Sequence, residues 1–215
     1  MNIGIIGSEE VGQALAHGFL TEGYEVMIGT RNTKKEALLQ WQKSHPTAQI
    51  GDFQQTAKFG EILVLAVPGT AVEEVIKLAG PDNFEGKVVI DATNPSAQLP
   101  PTNGVLHFIT TLEDSLLERT QRLLPGAKLV KSFNSVGSMF MYRPQFPGGT
   151  PTMFICGNDQ GAKDTVTAIL TRFGWETEDM GSVEAARAIE PLCILWCIPG
   201  FTRNQWSHAF KLLKM

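Results

Sequence analysis

Cysteine is scarce in this chain, and the three present, Cys156, Cys193 and Cys197, sit among apolar neighbours. Three cysteines cannot build a disulfide framework, and they fit free thiols in a reducing, cytoplasmic setting. Cys193 and Cys197 share a helix face with no third and fourth ligand beside them, so no metal site is expected. A dominant sign of charge is also missing: 18 Lys and Arg stand against 22 Asp and Glu, a net charge of -4. That balance excludes the basic surface that nucleic acid or an anionic membrane would require. Nor is there a long apolar run. Leu192 to Phe201 comes nearest, at about half the length of a membrane span, and it contains Pro199 and Gly200. The N-terminus enters a strand with no basic region or cleavage site, which predicts no secretory signal. Internal repeats and low-complexity segments are absent too. What is there, 43% hydrophobic and 19% charged over 215 residues, suits one domain, or one plus a small appendage, around a proper core.

The most informative segment is the first thirty-odd residues. Ile3, Ile5 and Ile6 make an apolar strand that runs straight into Gly7-Ser8-Glu9-Glu10-Val11-Gly12. A sharp turn at Gly7 would aim the backbone N–H groups of the following helix at a pyrophosphate, the arrangement of a dinucleotide fingerprint. Gly12 falls where a third glycine lets that helix pack close to the sheet, and Ala14, Leu15, Phe19 and Leu20 give it a buried stripe. A second strand, Tyr24 to Gly29, ends on Thr30-Arg31-Asn32, with Lys34 and Lys35 close behind. An NAD reader carries Asp or Glu at this place to accept from the ribose 2′-OH. Hydroxyl and cationic groups there suit a 2′-phosphate instead, and charge-assisted hydrogen bonds of roughly 1.5–3 kcal/mol each would favour NADP strongly. The competing reading is that Arg31, Lys34 and Lys35 are a solvated face at a helix start.

One residue departs from the fingerprint, because the second glycine is Glu9, followed by Glu10. A carboxylate facing the pyrophosphate at about 5 Å, at an effective dielectric near 20, would cost roughly 3 kcal/mol per phosphate charge. Pointed into water, the same group costs less than about 1 kcal/mol, and both acids then lie at the positive end of a helix dipole. The outward orientation is the expectation.

Farther along, Lys34 to Lys43 reads as a helix, Ala48 to Gly51 as a short strand and Phe53 to Phe59 as a helix. The continuous apolar run Ile62 to Val67 is a strand buried on both faces, ended by Pro68-Gly69. A helix over Thr70 to Ala79 leads to a strand over Gly86 to Ala92, ended by Thr93-Asn94-Pro95. A helix over Leu112 to Leu124 and a strand over Ala127 to Lys131 follow, the latter ended by Ser132-Phe133-Asn134-Ser135. Alternation of this kind predicts an α/β fold, a doubly wound (Rossmann) parallel sheet with right-handed crossovers. Ligands lie over the carboxyl ends of such strands, so Ala66, Val67, Pro68, Asn94, Asn134 and Ser135 are cofactor or substrate neighbours, or else ordinary turn residues. Pro95 to Gly104 and Tyr142 to Pro151 are loops, the second an active-site lid or a connector. Past it lie a strand over Met153 to Gly157, a helix over Gln160 to Phe173, a strand over Trp175 to Met180 and a helix over Ser182 to Trp196, capped by Ser182 and kinked at Pro191. Residues 1–150 are expected to form the nucleotide-binding domain and 151–215 a small C-terminal α/β lobe. The second half of the last helix is apolar nearly all round, which favours burial within the fold or in a homodimer. Trp206, Ala209, Phe210 and Leu213 at helical spacing predict a further packed helix over Asn204 to Met215.

Taken together, these residues resemble the NADPH:coenzyme F-420 (deazaflavin) oxidoreductases and their relatives, including the cytosolic domain of the six-transmembrane metalloreductases. The resemblance covers most of the chain. Its most specific parts are Asp91-Ala92-Thr93-Asn94-Pro95, Val130 to Ser135, and Ala185 to Leu192; the Gly7 turn, Ile28 to Asn32 and Ala66-Val67-Pro68 add to them. It implies a 2′-phosphate held by Thr30, Arg31 and Lys35, with Gly7, Ser8, Glu9, Glu10, Val11 and Asn32 completing the nucleotide site. It also implies hydride transfer between NADP(H) and a flavin-like ring, coenzyme F420 above all, and a dimer. FMN, FAD or a ferric chelate stand as alternative acceptors. Such transfer needs alignment more than proton transfer, so no general acid or base is nominated. His17, His45, His107 and His208 are scattered, and Asn94 and Asn134 are candidates to orient the reacting ring. Two other readings stay open: a non-catalytic NADP(H) sensor, and an imine or hydroxyacid reductase, although the residues after Pro151 are few for the long helical domain of that class.

Overall fold

The computed structural model describes residues 1–215. Six parallel strands form the main sheet: β1 (Asn2–Ile6), β2 (Glu25–Gly29), β3 (Gln49–Gly51), β4 (Ile62–Leu65), β5 (Val88–Asp91) and β6 (Lys128–Lys131). Their order is β3-β2-β1-β4-β5-β6, so the chain reverses direction across the sheet between β1 and β4, and a ligand crevice opens at that switch point. All four residues of β4 are buried, as a strand covered on both faces requires. The helices between strands are α1 (Glu10–Thr21), α2 (Glu36–Ser44), α3 (Phe53–Phe59), α4 (Val72–Ala79) and α5 (Leu116–Leu123). Two apolar cores lie on opposite faces of the sheet. One gathers Leu15, Phe19, Ile28 and Val64. The other packs Val75, Ile76, Phe84 and Leu117 against Leu63 and Val89. This is the doubly wound sheet that the alternation of elements predicts.

A second, two-stranded parallel sheet pairs β7 (Thr152–Ile155) with β8 (Glu176–Asp179) around α6 (Gln160–Arg172). It meets β6 through an isolated antiparallel bridge between Lys131 and Cys156. Met153, Val166, Phe173 and Trp175 from this lobe lie in the same core as Phe19 and Ile28. The start of the loop before β7 is held beside the end of α1, since Tyr142 Oη and Arg143 both donate to Glu22 Oε1 at 2.9 Å.

Element ends differ from the sequence expectation in instructive ways. The helix expected from Leu112 starts at Leu116, because Ser115 and Glu118 form a reciprocal capping box there. The helix expected from Thr70 opens with a 3₁₀ turn over Gly69–Ala71. The stretch expected as one helix over Ser182 to Trp196 is a 3₁₀ turn followed by α7 (Ala186–Ile189) and α8 (Leu192–Arg203), broken around Pro191, which has no N–H to continue the ladder. Ser182 makes no side-chain cap. The C-terminal helix expected over Asn204 to Met215 does not form. Asn204 is left-handed at φ 52, ending α8, and the tail continues as a strap with neither helix nor strand. Tertiary contacts override its helical spacing: the Thr152 amide donates to Phe210 O at 2.9 Å, the Leu212 amide to Thr152 Oγ1 at 3.0 Å, and Trp196 Nε1 to His208 O at 2.9 Å. Cys193, Trp196 and Cys197 of α8 are buried beneath this strap, while Leu195 and Phe201 remain exposed. No helix is long and apolar enough to cross a membrane.

Candidate functional site: a nucleotide crevice at the switch point

The crevice begins where β1 must turn into α1. Gly7 sits at φ +133, and a Cβ there would lie 2.1 Å from Ala66 O, so glycine is required on both conformational and steric grounds. At Gly12 a Cβ would meet Gly7 O at 2.1 Å, which explains how the first turn of α1 comes so close to the strand end. The result is an open helix terminus. Glu9 occupies the N-cap without a side-chain cap hydrogen bond, and the amides of Glu10, Val11 and Gly12 have no acceptor in the protein. These donors, with the positive end of a twelve-residue helix behind them, suit a phosphate group.

A cavity of about 430 Å³ lies over these amides, lined by Glu9, Glu10, Val11, Ala66, Val67, Pro68, Gly69, Ala92, Asn94 and Ser96. The structure thus brings the Gly7 turn, the β4 exit and the β5 exit together. Sequence reasoning missed Gly69, Ala92 and Ser96. Gly69 could have been suspected from Pro68-Gly69, since a Cβ there would lie 2.2 Å from Asn94 O. None of the four histidines lines the cavity.

The β2 exit lies beside the Gly7 turn, the Gly7 amide donating to Gly29 O at 3.1 Å. Ser8 and Thr30 are buried and joined, Ser8 Oγ donating to Thr30 Oγ1 at 3.2 Å, so the first and second turns are tied by hydroxyls. The Asn32 amide donates to Thr30 Oγ1 at 3.3 Å and Asn32 Oδ1 accepts from the Lys34 amide at 3.0 Å, which shapes the loop entering α2. Arg31 is exposed, with its guanidinium 3.7 Å from Glu74. The Glu9 carboxylate is exposed as well, and it does not lie over the free amides: it forms a short ion pair with Lys35 Nζ. The residue that breaks the glycine pattern is therefore bound to one of the expected 2′-phosphate cations. No residue-type rule signals that pairing, which depends on the path of the loop between β2 and α2.

Asn134 and Ser135 do not line the cavity. They are buried behind Asn94, whose Nδ2 donates to Asn134 O at 2.8 Å, and Asn134 Nδ2 donates to Ile189 O at 2.9 Å. Beneath this pair lies a cluster that the sequence did not reveal. Lys131 is fully buried, its Nζ 3.2 Å from Asp91 Oδ2 and 3.1 Å from Glu190 Oε1, and it donates to Thr93 O at 2.9 Å. Burial alone would lower the Lys131 pKa, but Asp91 and Glu190 outweigh it and the net direction is upward. Nearby, the Arg187 guanidinium and the Ser115 groups hold the Glu118 carboxyl down at about 2, against burial.

Residues 2–95, which contain every cavity-lining residue but Ser96, match the family described as NADP oxidoreductase, coenzyme F420-dependent. Over these residues the chain is similar to the F420-dependent NADP oxidoreductases. It is 26% identical over 218 residues to the F420-dependent NADP reductase of Methanothermobacter thermautotrophicus, covering 95% of this chain and 92% of that protein. It is 29% identical over 202 residues to the rat metalloreductase STEAP3, covering 92% of this chain but 38% of that longer protein. A crystal structure from Arthrobacter sp. FB24, provisionally described as an F420-dependent NADP-reductase, superposes with a TM-score of 0.91 at 29% identity over 99% of both chains. An imine reductase of Streptomyces aurantiacus shares the fold at a TM-score of 0.63 and 18% identity, and this chain covers 63% of it.

Proposed function

We propose that this protein transfers a hydride between NADP(H) and a flavin-like or deazaflavin ring. The observation that carries the reading is the open α1 terminus: its first amides have no acceptor in the protein, Glu10 and Val11 line the cavity, and beside it Thr30 is tied to Ser8 and Lys35 to Glu9. In this reading the amides of Glu10, Val11 and Gly12 hold the pyrophosphate, while Thr30 and Arg31 hold the 2′-phosphate, joined by Lys35 once it leaves Glu9. Bound NADPH supplies the hydride. Ala66, Val67 and Pro68 wall the nucleotide, and Asn94, held by Asn134, orients the nicotinamide end. Pro68, Ala92 and Ser96 keep water from its near face. No side chain is asked to move a proton, in keeping with a chemistry that depends on alignment.

We assign the nucleotide to residues 1–150 and acceptor and dimer contacts to 151–215, with the exposed Leu195 and Phe201 of α8 as the homodimer face. The free, buried thiols suit a cytoplasmic protein. Coenzyme F420 is the favoured acceptor because of the kinship with the F420-dependent NADP reductases; FMN, FAD and a ferric chelate are the alternatives to be assayed beside it. A second reading, a non-catalytic NADP(H) sensor, draws on the Glu9–Lys35 pair, which must open when a 2′-phosphate arrives. One experiment separates them. NADPH is mixed with protein and each acceptor in turn, and nicotinamide absorbance is followed. Turnover with a ring acceptor supports the proposal. Turnover with a cyclic imine or small carbonyl alone transfers the assignment to the imine and hydroxyacid reductases, and binding without any turnover leaves the sensor.

A further inference from the structure

We propose that the buried Lys131–Asp91–Glu190 cluster sets the redox poise of the nicotinamide nucleotide, holding the oxidised form more tightly than the reduced one and so favouring hydride donation from NADPH. This rests on reading the crevice as an NADP(H) site. The argument starts from a charge count. Side-chain exposure is 0% for Lys131, 0% for Asp91 and 2% for Glu190, so one ammonium faces two carboxylates away from bulk solvent. Both acids carry the donors that stabilise an ionised carboxylate. Asp91 Oδ1 accepts from the Thr93 amide at 2.8 Å and from Thr93 Oγ1 at 2.6 Å, and Glu190 accepts from the Leu116 and Leu117 amides, each at 2.9 Å. The formal charge of the cluster is -1.

Groups on the surrounding elements do not cancel it. Glu118 is paired with Arg187, and Lys163 is paired with Asp179 at 2.8 Å. The Cys156 thiol is pushed up to about 12 by burial and stays neutral. The two α5 amides that hold Glu190 bring a partial positive charge, which reduces the excess without removing it. A single ion pair would serve to fasten these elements, and a second buried carboxylate is expensive unless something answers its charge. Asp91 lies immediately before Ala92, and Lys131 grips Thr93, immediately before Asn94; Ala92 and Asn94 are cavity wall. A ring that gains a positive charge when its hydride and electron pair leave would sit against that wall. The excess negative charge stabilises the oxidised ring and does little for the neutral, reduced one. Acting over about 10 Å through a partly solvated protein medium, one charge changes a ratio of dissociation constants about three- to tenfold.

The test is the ratio of Kd for NADP+ to Kd for NADPH, measured by calorimetry on the wild-type protein and on Glu190→Gln and Asp91→Asn. Wild-type protein should bind NADP+ the more tightly, and each neutralised variant that folds should raise the ratio about three- to tenfold. Weakening of both nucleotides by the same factor, or an unchanged ratio, would show the cluster to be a structural fastening and overturn the proposal. Tighter binding of NADPH than of NADP+ by wild-type protein would overturn it even if neither variant folds. Absence of binding by either nucleotide would instead remove the nucleotide reading itself.

Discussion

Replacing Glu9 offers the sharpest perturbation of the crevice, because its carboxylate is the feature that separates this glycine turn from a standard one. Its side chain is 69% exposed and paired with Lys35, whose side chain is 35% exposed. Exposed pairs of this kind are worth about 0.2–1 kcal/mol, which an arriving 2′-phosphate must displace. The carboxylate also repels the phosphate. At roughly 7 Å in largely solvated surroundings this adds about 1 kcal/mol, reduced by screening at physiological salt. Glu9→Gln removes both effects while preserving shape, and Glu9→Gly restores close backbone approach as well. Both variants should therefore bind NADPH more tightly by about 1 to 1.5 kcal/mol, roughly five- to twelvefold, with a smaller gain for NADH. Fluorescence or calorimetric titration at low and high salt reads this directly, and the gain should shrink as salt rises. NADPH affinity that is unchanged or weaker in both variants refutes the reasoning, as does an equal gain for NADH, since that would place Glu9 against the pyrophosphate.

Arg31→Ala should reduce the preference for NADPH over NADH by about tenfold or more, from the loss of one or two charge-assisted hydrogen bonds. Its melting temperature should scarcely move, because the side chain is exposed; competition binding and a thermal melt check both points. Gly7→Ala forces a Cβ to within 2.1 Å of Ala66 O at φ +133, so loss of at least about 3 kcal/mol of stability, or of folding, is expected in chemical denaturation. Because Arg187 holds Glu118 at about 2 in the folded protein against 4.5 unfolded, this stabilisation is full above about pH 4.5 and fades as pH falls toward 2. Glu118→Gln should flatten that part of the acid-unfolding curve.

Much of the fold was legible because its strands are unbroken apolar runs ending at Gly, Pro or Asn. The run Ile62 to Leu65 and the turn at Gly7 each specify a conformation locally, and their order fixes a doubly wound sheet. The tail was not legible. Trp206, Ala209, Phe210 and Leu213 carry a helical period, yet hydrogen bonds to Thr152 and Trp196 hold the segment out of a helix, and these partners are set by tertiary structure. The break at Pro191 shows the opposite case, a local rule strong enough to divide an otherwise continuous apolar helix. Within the site, the residues around Gly7, Ala66 to Pro68 and Asn94 converge because each follows a strand at the same sheet edge. Asn134 and Ser135 follow a strand too, but β6 lies farther from the switch point and its exit is buried by Asn94 and Ile189. The Lys131 cluster could not be read at all. Asp91 and Lys131 become neighbours through the pairing of β5 with β6, and Glu190 reaches them from the turn between α7 and α8, distant in sequence.

Binding of NADPH and NADH to the wild-type protein, measured by calorimetry at physiological ionic strength, bears most directly on the central claim. The proposed reading predicts saturable one-to-one binding with NADPH the tighter ligand, since Thr30, Arg31 and Lys35 would then address a phosphate that NADH lacks. Tighter binding of NADH, or no heat of association with either nucleotide, contradicts the assignment of the crevice and the chemistry built on it.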